Sequence, residues 1–217
     1  MIDRRQMLAG GALLLALPDV ARAGLAVPSS NHLRFNILRK GSKLGTHEVT
    51  ITPSAGGLTV NVAVDLAYSL LGVTLYRYTH RATEVWSGDQ VVSLRSTTND
   101  NGEKYQLIGQ RGPEGLAIQT NKVARYIAPA NALPATHWNQ RELDGPWINT
   151  QDGKLMRPKV SPRGIETIVA GGGKTIKAHR FALTGEVQLD MWYDDDLGWS
   201  GLSFNKGKTP IRYERQF

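Results

Sequence analysis

The chain has 217 residues, 41% hydrophobic and 21% charged, which is enough to bury one sizeable core and too apolar for a disordered segment. Its formal charge is +7, and three arginines against two aspartates in residues 1–23 leave +6 for the remainder. That surplus favours acidic surfaces. The absence of cysteine excludes a disulfide framework, a thiolate metal site, a catalytic thiol and a lipidated N-terminal cysteine.

Residues 1–23 read as a cleaved export signal. Arg4-Arg5 precede an apolar run from Met7 to Leu17, and Ala21-Arg22-Ala23 offers a small-x-small cleavage site. The run is too short to stay as a helix across ~30 Å of hydrocarbon. The arginine pair resembles a twin-arginine (Tat) signal, although Asp3 and Met7 stand where Ser and Phe are usual; an ordinary Sec signal is the alternative. Either route predicts a periplasmic protein, soluble after cleavage, with a linker over 24–32 and one domain over 33–217. Export makes phosphate headgroups a better acidic partner than nucleic acid, and no nucleic-acid partner is expected.

From Leu33 onward the chain reads as strand after strand. Leu33–Leu38 and Thr46–Thr52 flank a Lys40–Gly45 turn region. Val60, Val62, Val64, Leu66, Tyr68 and Leu70 then share one parity, with Asn61, Ala63, Asp65, Ala67 and Ser69 on the other. Gly72 breaks this long strand. Thr74–Trp86 follows, with Tyr76, Tyr78, His80 and Trp86 on one face. Turns at Ser87-Gly88-Asp89, Asn99–Gly102 and Gly112–Gly115 space further strands as in an antiparallel meander. Pro129 and Pro134 preclude a long helix over Ala128–Leu143, where Thr136 is placed to cap a short turn carrying Trp138. Alternation returns over 155–160, 165–169 and 175–183.

Gly185 to Arg215 closes the chain as three strands joined by an Asp194–Leu197 turn and a Gly207-Lys208 turn. The expected register sets Val187 against Phe204 and Leu189 against Leu202, with those two phenylalanine and leucine partners meeting Ile211 and Tyr213. It also sets Trp192 opposite Trp199. The predicted fold is all-β and mainly antiparallel: a curled sheet or incomplete β-barrel of roughly eleven strands, with a short helical segment packed across it. A closed lipocalin-like barrel is the alternative.

The motifs G-x-x-x-L-D-x-W-Y-D, G-W-x-G-L-x-F and G-K-x-x-I-R-Y in this stretch resemble the end of an uncharacterised family of exported bacterial proteins, domain-of-unknown-function family 6134. Leu133–Asn139 (LPATHWN) and Asn149–Leu155 (NTQDGKL) resemble two further signatures of it. The resemblance brings no known catalytic residues. It implies a β-rich, half-barrel-like domain, distantly similar to carriers that move lipidated proteins or lipids between membranes.

Catalytic patterns are missing: there is no nucleophile elbow, P-loop or dinucleotide fingerprint, and Gly171–Gly173 has the spacing of a turn. The histidines lack zinc-site spacing, and Asp194–Asp196 is better placed to make a turn than to converge on calcium. No metal or cofactor is therefore expected. The candidate apolar-ligand residues are Val62, Val64, Leu66, Tyr68, Tyr76, Tyr78, His80, Trp138, Trp192 and Trp199. Lys154, Arg157, Lys159, Arg163, Lys174, Lys177 and Arg180, with Glu166 the sole acid among them, are the candidate contacts to an anionic membrane surface. The functional expectation is a non-enzymatic binder of a lipid or acyl chain; an envelope enzyme with a dispersed site and a ligand-free scaffold are the alternatives.

Overall fold

Tight turns set the architecture. Lys40-Gly41, Leu71-Gly72 and Asn101-Gly102 all take positive φ at both positions, the mirror-image turn that matches the twist of a two-stranded ribbon. Each reverses the chain, so strands adjacent in sequence become adjacent in space. The computed structural model describes Leu25 and residues 27–217; the export-signal reading over 1–23 lies outside the described residues.

Thirteen strands form one antiparallel sheet. Eight come from the first half: β1 (His32–Arg39), β2 (Ser42–Ser54), β3 (Gly57–Leu70), β4 (Val73–Ser87), β5 (Gln90–Asp100), β6 (Glu103–Gly112), β7 (Gly115–Thr120) and β8 (Tyr126–Ala128). Three two-residue strands, β9 (Leu133–Pro134), β10 (Trp147–Ile148) and β11 (Leu155–Met156), pair separately. The main sheet resumes with β12 (Lys159–Val169), β13 (Thr175–Thr184), β14 (Leu189–Asp194), β15 (Gly198–Lys206) and β16 (Thr209–Gln216). β16 pairs with β1, so the order runs from β12 through β16 to β1 and on to β8. β8 and β12 do not pair. The sheet is curled and unclosed, as expected, and the closed barrel is excluded.

The chain between those two free edges, residues 129–158, crosses the concavity as a strap holding β9–β11 and a 3-10 turn at Gln140–Asp144. The inward rows bury Phe35, Val49, Val60, Val62, Leu94 and Leu107 against Trp138, Trp147 and Ile148 of the strap. The alternate rows carry polar pairs, among them Arg81 Nη2 donating to both carboxylate oxygens of Asp65 at 2.8 Å and Thr83 donating to Asn61. One buried face and one wet face is what period-2 patterning dictates.

Four local expectations are corrected. The strands foreseen over 155–160 and 165–169 are instead the strap's β11 and a continuous β12, which has a register shift between Pro162 and Ile165 and Gly164 at φ 85°. Thr136 does not cap the short turn; Asn139 does, its side chain accepting from Arg141 N. Met191, not Leu189, faces Leu202, two residues from the expected register on the same face, whereas Phe204–Ile211 and Leu202–Tyr213 pair as foreseen.

The fourth correction concerns the tryptophans. Trp192 faces Gly201 and Tyr193 faces Trp199, with Ser200 the extra residue of a bulge. That one residue reverses the parity of β15. Trp199 therefore turns into the core, fully buried against Phe35 at 4.1 Å, while Trp192 lies on the outer face.

Candidate functional site

The strap is held by hydroxyls on the sheet. Four consecutive carbonyls each accept one: Thr150 O from Ser96, Gln151 O from Thr98, Asp152 O from Thr120 and Gly153 O from Tyr126, at 2.5–3.2 Å. These replace the ladder bonds an irregular segment lacks, each worth ~1 kcal/mol net. Gly153 is needed at φ 80°, where a Cβ would lie 2.6 Å from Thr120 Cγ2. The NTQDGKL signature is thus the rung that docks on β5, β7 and β8.

The LPATHWN signature does the same further along, against a buried carboxylate. Glu84 of β4 accepts from Thr136 Oγ1 at 2.5 Å, Trp86 Nε1 at 2.7 Å and Trp138 Nε1 at 3.1 Å. Burial pushes its carboxyl up to about 7, the three donors restraining the rise. A sequence signal for Glu84 existed: it is the carboxylate in the otherwise apolar and aromatic row Tyr76, Tyr78, His80, Ala82, Trp86. Glu142 is a second carboxylate that sequence reasoning missed. It accepts from His137 N at 3.0 Å and lies 2.7 Å from His137 Nδ1, fixing a histidine held at φ 71°. Tyr193 Oη donates to His137 O, and Trp147 Nε1 to Glu142 O.

Between strap and sheet lies a pocket of about 450 Å³. Val62, Val64 and Leu66 of β3 form one wall, and Val187, Leu189 and Phe204 of the closing hairpins contribute another. Tyr76, Tyr78, Asp100 and Gln151 stand at the polar end, where Tyr76 Oη donates to Asp100 at 2.7 Å and Tyr78 Oη to Gln151 at 3.3 Å. Three histidines also line it. His80 is bracketed by Thr98 and Thr150, and burial pushes its imidazole down to about 4. His47 is buried with neither ring nitrogen partnered, so burial, then His137 and His80, hold it well below the usual range. His47 and His137 both pack on Trp199, at 4.9 and 5.2 Å. Among the described residues no cluster of three or more His, Asp or Glu is arranged to hold a metal, and Asp194 spends its carboxylate on the turn, accepting from Asp196 N and Leu197 N.

Six predicted ligand residues come together in this pocket: Val62, Val64, Leu66, Tyr76, Tyr78 and His80. Tyr68 lies beyond it under the Arg39 guanidinium, at 4.3 Å. Trp138 is sealed beside Trp86, Trp199 lies in the core beneath the pocket, and Trp192 donates to Glu166 on the outer face. Of the seven basic residues, Arg163 and Arg180 line one shallow depression on β12–β15. β12 and β13 separate Arg157 and Lys159 from Lys174 by ~30 Å of strand. Arg180 is spent on Glu166 and Asp190 at 2.9 and 3.0 Å, and Lys154 lies 3.5 Å from Asp152.

No curated protein matches the chain in sequence. A crystal structure described as a beta-barrel-like protein of domain of unknown function DUF1849, from Brucella abortus, superposes with a TM-score of 0.62 at 10% identity, covering 89% of this chain and 98% of that one. At that identity the likeness speaks for the fold. In sequence, residues 35–216 match the family described as Domain of unknown function (DUF6134), and the chain belongs to that family.

Proposed function

We propose that the protein is exported to the periplasm and there binds an apolar small molecule, a lipid or acyl chain, in the pocket beneath the strap, without chemistry of its own. The observation that carries this reading is a cavity of about 450 Å³ between strap and sheet, with apolar walls from two distant parts of the sheet and histidines, tyrosines and amides set among them. Ligand pockets span ~300–1,000 Å³ and combine mostly apolar walls with a few convergent polar groups. The lining supports binding over catalysis. The hydroxyls of Thr136 and Thr150 are engaged with Glu84 and His80, and neither serine nor cysteine stands beside His137.

Val64→Trp tests the pocket. An indole at this position fills a cavity if a ligand normally occupies it, whereas overpacking a solid core costs ~1–3 kcal/mol. A fluorescent fatty-acid analogue should bind the wild type saturably and lose at least tenfold in affinity in the variant, with the unfolding midpoint held or raised. No saturable binding by the wild type, together with a destabilised variant, would replace the carrier by a scaffold. Native mass spectrometry of protein recovered from the periplasm should show the retained ligand as added mass.

Export is tested separately. Replacing Arg4-Arg5 by Lys-Lys should leave the precursor in the cytoplasm, because the twin-arginine route recognises the arginine pair. Normal processing of that variant to a species beginning near Gly24 would assign the ordinary Sec route instead.

A further inference from the structure

The longest hairpin in the sheet parts from both neighbours before it turns. On one side β2 stops pairing with β3 at Gly45–Leu66, and on the other β5 begins pairing with β4 at Tyr78–Asp100. Residues 68–76 therefore pair only with each other, as Tyr68–Tyr76, Ser69–Thr74 and Leu70–Val73. Beyond those last paired rungs the arm runs on for ~10–15 Å at ~3.4 Å per residue.

Its tip is apolar where solvent demands polarity. Leu70 is 53% exposed, Leu71 95%, Val73 62% and Leu75 51%. Leu71 also occupies the left-handed region, φ 50°, in a turn whose first central position favours Asn, Asp or Gly. The corresponding turn at Asn101-Gly102 has the favoured residue. A leucine at Leu71 serves neither the turn nor the core. A contiguous exposed apolar group on a protruding arm marks an interaction site.

Charge identifies the partner. Sheet topology puts the Lys40-Gly41 and Gly207-Lys208 turns at the same end as this arm. Lys40, Lys43, Lys206 and Lys208 are exposed there and make no ion pair among the described residues. The carboxylates nearby are engaged: Asp100 with Tyr76, Glu103 with Lys122, and Glu186 with the Arg157 backbone. At the base of the arm, Arg39 lies 4.3 Å over the Tyr68 ring, an aromatic–guanidinium pair suited to a bilayer interface. Lys206 and Tyr76 also line the pocket, so its polar end opens toward this rim.

We propose that the Leu70–Leu75 tip inserts into the interface of an anionic phospholipid bilayer while the surrounding lysines engage headgroups, setting the pocket mouth against the membrane. Apolar insertion and headgroup attraction add, neither alone being strong. The claim does not depend on what the pocket holds.

The test is co-sedimentation of the processed chain, since the Met7–Leu17 run would itself bind lipid, with vesicles of phosphatidylglycerol in phosphatidylcholine. The wild type should bind these, bind pure phosphatidylcholine at least tenfold more weakly, and release as salt rises from 0.1 to 0.5 M. Leu71→Asn should lower vesicle affinity about tenfold, the scale expected from removing one buried leucine, while its melting temperature holds or rises because Asn suits the left-handed turn. A Leu71→Trp variant should show a blue-shifted emission with anionic vesicles. The proposal is overturned if the wild type ignores anionic vesicles, as a tip that docks on another protein would, or if Leu71→Asn binds them as tightly as the wild type. Failure here with fatty-acid binding intact would leave the ligand reading standing.

Discussion

Glu84→Ala is expected to leave the purified chain largely unfolded at 25 °C. The carboxylate receives Thr136, Trp86 and Trp138, all buried, and joins strap to sheet. Removing it strands three donors at ~1–3 kcal/mol each and opens a cavity besides. The sum reaches the ~5–15 kcal/mol by which a whole domain is stable. Glu84→Gln keeps an oxygen for the indoles and should stay folded at neutral pH. Urea unfolding checks both: an alanine midpoint equal to wild type would mean that the strap is held by its backbone rungs alone.

Stability should fall as the solution is acidified from pH 6.5 to 4, and the slope should respond in opposite directions to two substitutions. His80 titrates at about 4 in the folded chain against 6.5 when unfolded, and His47 is displaced in the same direction. Over that window the unfolded chain binds more protons at these sites, so their contribution is lost as pH falls. Glu84 runs the other way. Its folded carboxyl holds a proton up to about 7 against 4.5 unfolded, so its contribution is full below 4.5 and is lost as pH rises to 7. Near pH 5.5 the histidines and the carboxyl act in opposite senses, so their contributions to the slope partly cancel. Glu84→Gln should steepen the acid-side loss of stability, and His80→Gln should flatten it. Denaturant melts at several pH values read this directly; a wild-type slope that neither variant alters would mean that these buried groups do not control the titration.

What was legible in the sequence was whatever repeats. The inward row of Val60, Val62 and Val64, and its continuation through Tyr78 and His80, follows from alternation alone, because a strand's side chains have a period of two. The pocket wall was readable for the same reason. A single inserted residue defeats that logic. Ser200 carries no mark distinguishing it from its neighbours, yet it sends Trp199 inward and leaves Trp192 outside. That a segment packs across the sheet was foreseen, but its anchors were beyond reach for another reason: its partners are single residues far off in sequence. Thr136 meets a carboxylate 52 positions away, and Ser96 meets a carbonyl 54 positions away. No local pattern encodes such a pair; only the odd carboxylate in an apolar row hints that something must come to meet it.

The unpaired edges at β8 and β12 also bear on what fixes the width of the cavity. In a closed barrel, strand number and stagger fix the circumference, and widening it means breaking ladder bonds. Here no hydrogen bond joins the two ends of the sheet, and curvature is set by twist and by the side chains packed against the strap. Widening the cavity therefore need not break any of the twelve strand-to-strand ladders of the thirteen-stranded sheet. Girth is then an adjustable property, bounded by the length of the tether that runs from one lip to the other. If the pocket binds the apolar ligands proposed for it, guests of different bulk would meet the same chemistry at different apertures.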